Sequence, residues 1–125
     1  MFIFLSAFSF SFCARIRFQV IFPFKRFNKM QSELYPQVYD DSASLVVSSP
    51  TGSGKTCVLE LALVKLFSTN PAAKVVYMAP TKALCNERCE DWKAKFMEKV
   101  GMDVKLVTGD SPASASDLKS CSIIV

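Results

Sequence analysis

The sequence predicts an α/β fold, a parallel sheet flanked by helices, on three observations. An apolar run, Leu45-Val46-Val47, leads through Ser49-Pro50-Thr51-Gly52-Ser53-Gly54-Lys55-Thr56 into an apolar helical stretch. A second apolar run, Lys74 to Ala79, follows that helix, and strand, helix, strand in this order imply a right-handed parallel crossover. Further on, Cys85, Cys89, Trp92, Phe96 and Val100 recur at helical spacing and give another helix one core face. With 125 residues, 50% of them hydrophobic, the chain has material for one core and one domain.

The elements follow in chain order. Met1 to Phe12 is phenylalanine and other apolar residues broken by Ser6, Ser9 and Ser11, and Arg15 and Arg17 end the run short of the about 20 residues that a spanning helix needs. A secretory signal over Met1 to Ala14 would lack the basic start such segments carry. The remaining reading is that residues 1–23 are an apolar leader of unknown role, or a mistaken start, joined to the domain at about Phe22. Asn28 to Tyr35 reads as a short helix with Asn28 as N-cap, and Pro36 allows one further turn. Ser44 to Ser48, apolar on both faces, reads as a core strand of a parallel sheet. The helix from Lys55 to about Thr69 is apolar nearly all round and should be deeply packed. Asn70-Pro71 ends it, and Lys74 to Ala79 gives the next buried strand. Thr81 to Val100 is the striped helix, stopped by Gly101. Asp103 to Val107 is a third strand and Thr108 to Pro112 a tight polar turn. Ser114, Ser116 and Asp117 read as loop, and Ser122 to Val125 as the beginning of a strand.

The eight residues from Ser49 to Thr56 carry chemistry. Glycines let successive backbone N–H groups turn inward around phosphate, and the helix that follows adds the positive end of its dipole. Lys55 would reach the β- and γ-phosphates of a nucleotide, and the Thr56 hydroxyl would hold Mg²⁺. The strict phosphate-loop pattern starts with Gly where this chain has Ser49, so the match rests on Gly52, Gly54, Lys55 and Thr56. The competing reading is a Gly/Ser turn with an incidental lysine. Strand, loop and helix in the order the mechanism requires favour the phosphate loop.

Composition narrows the rest. A net charge of +4 and a pI near 8.9 are compatible with polyanionic partners without requiring them. Five cysteines without a CxxC pair, and no histidine, indicate neither a structural metal site nor a disulfide framework, so the thiols are expected reduced. Cys85 and Cys89, one turn apart, belong to the core stripe rather than to a metal. A small-molecule nucleotide kinase would need lid arginines, and only Arg88 occurs after Arg26.

Taken together, the segments from about Phe24 to Val125 resemble the first RecA-like domain of superfamily-two helicases. Within these they are most similar to the Ski-two-like DExH-box group that includes the meiotic crossover DNA helicases. Phe27-Asn28-Lys29-Met30-Gln31-Ser32 resembles the segment where that group carries an adenine-reading glutamine, here Gln31. Pro50 to Thr56 resembles motif I. Met78-Ala79-Pro80-Thr81-Lys82-Ala83-Leu84 resembles motif Ia, which implies that Pro80, Thr81 and Lys82 grip the phosphates of a single strand. Thr108-Gly109-Asp110 resembles a turn of the same group, adding Thr108 and Gly109 to the nucleic-acid set. Thr81 would cap its helix whether or not nucleic acid binds.

The resemblance implies an incomplete RecA-like P-loop NTPase domain and an ATP-dependent DNA helicase, with ATP and Mg²⁺ as cofactors. It implies single-stranded or branched DNA as partner, RNA being possible, a part in meiotic recombination, and a place in the nucleus. Residues 24–125 would then be the first part of the helicase ATP-binding domain, truncated before the family's Asp-Glu-x-His motif, since the chain has neither an Asp-Glu pair nor a histidine. The family also inserts later strands between the phosphate-loop strand and the one ending at Ala79, so a gap in the sheet is expected. Alternatives are an RNA helicase of the same superfamily or a non-catalytic nucleotide- or nucleic-acid-binding fragment.

Overall fold

A computed structural model of the protein describes residues 18, 20–24, 26–40 and 44–125. The secretory reading of Met1 to Ala14 lies outside these residues. Helix α1 runs Lys29–Tyr39, one turn beyond Tyr35 as Pro36 permits, and Asn28 caps it in a capping box with Gln31. Helix α2 runs Lys55–Thr69, with the bounds expected from the sequence. It buries Cys57, Val58, Leu61, Leu63, Val64 and Phe67, whereas Leu59 and Leu66 lie at the surface, so the packing is less complete than its composition implies.

The sheet is parallel and three-stranded: β1 (Val75–Val76), β2 (Val104–Lys105) and β3 (Ile123–Ile124), in the order β1-β3-β2. Val75 and Val104 face Ile123 from either side, and Ile123 is fully buried between them. The ladders are shorter than the strands expected over Lys74–Ala79 and Asp103–Val107, because a ladder extends only where β3 faces it. Bonds such as Tyr77 N–H to the Ile124 carbonyl (2.8 Å) and Val107 N–H to the Val125 carbonyl (2.7 Å) continue the pairing by one step.

Three expectations are corrected. Ser44 to Ser48 joins no ladder, and Val46 is 93% exposed. Unpaired N–H and C=O groups make an isolated strand costly, so an apolar run without a neighbour does not become one. The helix predicted over Thr81–Val100 is three segments: α3 (Lys82–Trp92), a π-helical turn (Lys93–Met97) and α4 (Glu98–Val100). Thr81 is its N-cap, and Gly101, with φ +68°, closes it in the left-handed region where glycine carries no Cβ penalty. The loop expected at Ser114 to Asp117 is the start of a short helix, α5 (Ala115–Ser120), capped reciprocally by Ser114 and Asp117.

Trp92, Phe96, Val100 and Cys89 from the predicted stripe join Leu63, Val64, Phe67 and Ile123 in one core, with Cys85 half-buried at its edge. Phe18 and Ile21 belong to the same core, and the Lys99 ammonium donates to the Val20 carbonyl at 3.2 Å. Cys57, Cys85, Cys89 and Cys121 are free thiols. Among the described residues no helix is long and apolar enough to cross a membrane, and no cluster of His, Cys, Asp and Glu could hold a metal ion.

Candidate phosphate-binding site and nucleic-acid interface

The loop from Ser49 to Gly54 turns on two glycines in the left-handed region, Gly52 (φ +80°) and Gly54 (φ +89°). Gly54 is the N-cap of α2, so the loop empties directly onto the helix N-terminus. Lys55 folds back over the loop. Its ammonium donates to the Pro50 carbonyl at 2.8 Å and to the Ser49 carbonyl, and among the described residues it meets no carboxylate. The Ser49 and Ser53 hydroxyls are 2.7 Å apart, so the serine that replaces the pattern's first glycine helps to close the ring. Thr51 is exposed on the loop and Thr56 is half-buried in the first turn of α2. Lys55 and Thr56 also line an open cleft of about 560 Å³ whose other walls include Leu45, Val47, Val58, Leu59 and Tyr77.

These features fit a nucleotide polyphosphate. A cation held only by neutral carbonyls can exchange them for phosphate oxygens, and a helix N-terminus beside it adds positive potential. Ser49, Pro50, Thr51, Gly52, Ser53, Gly54, Lys55 and Thr56 are thus brought together as one site.

Gln31 is brought to the same loop from α1. It is buried, with its side-chain carbonyl accepting the Asn28 N–H at 3.0 Å and its amide donating to the Gly54 carbonyl at 3.3 Å. Gln31 therefore touches the loop itself. Asn28, read from the sequence only as a cap, donates its own amide to the Ser53 carbonyl at 2.8 Å.

Pro80, Thr81 and Lys82 form the turn into α3, with the Thr81 hydroxyl accepting the Leu84 N–H at 3.3 Å. Thr108 to Ser111 is a tight turn closed by reciprocal backbone bonds of 3.2 and 3.0 Å. The two turns meet through an ion pair of Lys82 with Asp110, both well exposed. Pro80, Thr81 and Gly109 are likewise exposed and Thr108 is half-buried, so the residues that the resemblance assigns to nucleic acid lie on two adjoining turns.

The residue that sequence reasoning missed is Glu60, the one carboxylate on the apolar helix α2. It is 3% exposed, accepts the Trp92 indole N–H at 3.1 Å and pairs with Lys95 at 2.8 Å; Lys95 also reaches Asp91 at 3.1 Å. Burial pulls the Lys95 amine down, but its bonds to Glu60 and Asp91 outweigh this and hold it above the ordinary lysine range. Burial, aided by the Glu60 charge, pushes the Cys57 thiol up to about 12. A lone acidic residue in an otherwise apolar run was the available signal.

The DEAD/DEAH box helicase family profile matches residues 28–125. Activating signal cointegrator 1 complex subunit 3 of Dictyostelium discoideum is 42% identical over 107 residues, covering 86% of this chain and 5% of that protein. RQC trigger complex helicase SLH1 of Saccharomyces cerevisiae is 44% identical over 105 residues, 84% of this chain and 5% of its own length. ATP-dependent DNA helicase MER3 of the same yeast is 40% identical over 113 residues, 86% of this chain and 9% of its own length. The chain thus spans less than a tenth of each of these relatives.

Proposed function

We propose that this chain, which belongs to the DEAD/DEAH box helicase family, binds ATP with Mg²⁺ on Ser49 to Thr56 and a nucleic-acid strand on the turns at Pro80–Lys82 and Thr108–Gly109. The observation that carries the reading is the Lys55 ammonium, held by two loop carbonyls at the start of α2 inside a loop bent by two left-handed glycines. Bound ATP supplies the phosphoryl group whose transfer to water drives the family's motor. The residues here position and neutralise: Lys55 balances phosphate charge, Thr56 offers its hydroxyl to the metal, and loop N–H groups hold the oxygens. Gln31 stands near enough to the loop to report on an adenine seated beside it.

The substrate we propose is single-stranded or branched DNA, in meiotic recombination and hence in the nucleus. Support comes from the sequence resemblance and from a relative whose name is that of a DNA helicase. RNA is the alternative, as for an RNA helicase of the same superfamily. A second reading, nucleotide and nucleic-acid binding without catalysis, is favoured by the absence of an Asp-Glu pair and of histidine.

Titration with a fluorescent ATP analogue tests the site. Wild-type chain should bind in a Mg²⁺-dependent manner, and Lys55→Met should weaken binding at least tenfold, on the order of a lost charge-assisted contact. Equal binding by the two proteins would refute it. Retention on matched DNA and RNA single strands, with and without nucleotide, separates the substrate readings. Nucleotide-independent retention that falls steeply with salt would mean charge attraction alone.

A further inference from the structure

We infer that Asn28 is a positioning residue for the phosphate-binding loop: one side-chain amide caps α1 and at the same time clamps the loop through the Ser53 carbonyl. The inference rests on the nucleotide reading for its functional consequence, though not for its geometry. The Asn28 Oδ1 accepts the Gln31 N–H at 2.9 Å, and its Nδ2 donates to the Ser53 carbonyl, 25 residues away, at 2.8 Å. Ser and Asp cap helices about as well, but among the usual caps only Asn offers an acceptor and a donor on separate atoms, so that it can cap and reach a second group at once. The identity of the cap therefore carries information that capping alone does not require.

The clamp fixes a direction. In a trans peptide the C=O and the following N–H point to opposite sides of the chain. Holding the Ser53 carbonyl toward α1 turns the Gly54 N–H away from α1, and the Gln31 bond to the Gly54 carbonyl does the same for the Lys55 N–H. Two successive donors are thereby aimed together before any anion arrives, which is the arrangement that binds phosphate. The seat is close: a Cβ on Gly54 would lie 2.4 Å from the Gln31 Nε2 and 3.3 Å from the Asn28 Nδ2.

The test uses Asn28→Ser and Asn28→Asp in the full chain. Both keep a cap acceptor and lose the amide donor, and serine does so without adding charge. Hydrogen exchange in nucleotide-free protein reads the clamp directly. Amides of Ser53 to Lys55 should exchange several-fold faster in both variants, whereas α1 amides should change far less because the cap acceptor is kept. Affinity for the ATP analogue should fall roughly fivefold in Asn28→Ser, the size of one net hydrogen bond. Unchanged loop exchange, or faster loop exchange with unchanged affinity, overturns the positioning role. Wild-type chain that binds no nucleotide defeats the nucleotide reading, and the exchange measurement then still decides the clamp.

Discussion

Glu60 shows how one buried charge ties the helix after the glycine loop to the helix after the Pro80 turn. Its carboxylate joins α2, which begins at Lys55, to the helix that begins beside Lys82. Removing one partner of a buried pair leaves the other uncompensated, so Glu60→Ala should cost about 3 kcal/mol by urea unfolding, with Lys95, 21% exposed, recovering part by reaching water. Glu60→Gln keeps an acceptor for the Trp92 indole and should cost about half as much. Equal losses would mean that the charge, rather than the shape and the acceptor that glutamine keeps, carries the effect at this position. Cys57, one turn before Glu60, gives a pH dependence of definite sign. Below pH 9 its thiol is protonated folded or unfolded, and its contribution is fully present. Between 9 and the folded value of about 12 the unfolded thiol ionises first, so stability falls as pH rises. Lys95, held above the ordinary lysine range in the fold, loses its contribution with rising pH as well. Cys57→Ala should flatten the decline that begins near pH 9, and an unchanged curve would remove Cys57 as its source.

Among the elements, the caps carry measurable weight and were the most legible. Asn28, Thr81 and the bounds of α2 stand where local chemistry puts them, because capping and turn signals act over a few residues. Thr81→Ala should lower stability by about 1 kcal/mol, whereas Thr81→Ser should be near neutral; a phosphate-binding role for Thr81 would appear as a further loss on nucleic acid only. Ser114 to Asp117 misled for the same reason in reverse: residues that favour turns also cap helices, and here they start α5. The π turn is subtler. In an α-helix four residues overshoot one turn by about 40°, so the successive steps Trp92 to Phe96 to Val100 would drift off the core by about 80°. A π turn holds more residues per turn and takes up that drift, keeping all three buried.

For the whole molecule, the parallel sheet and the loop-to-helix passage were readable from periodicity, while the fate of Ser44 to Ser48 was not, since pairing depends on a neighbour rather than on the run itself. Apolar side chains stand at the surface there and along and just after β1: Val46, Val76 and Met78 are 93%, 62% and 87% exposed. Unpaired strand edges and exposed apolar patches favour association. The 125-residue chain should therefore self-associate at micromolar concentration, visible by light scattering, and added charge at Val46 (Val46→Lys) should reduce it. Lys55 and Thr56 can bind and neutralise, but phosphoryl transfer to water also needs a group that orients the attacking water, which in the family is the Asp-Glu-x-His motif. With no Asp-Glu pair and no histidine in the chain, hydrolysis by these residues should stay at background even where the nucleotide binds. Phosphate release measured beside Lys55→Met decides it. Turnover well above background that disappears in Lys55→Met would require a water-orienting residue elsewhere in the chain. No difference between the two proteins, alongside nucleotide binding by the wild type alone, would separate binding from chemistry at this site.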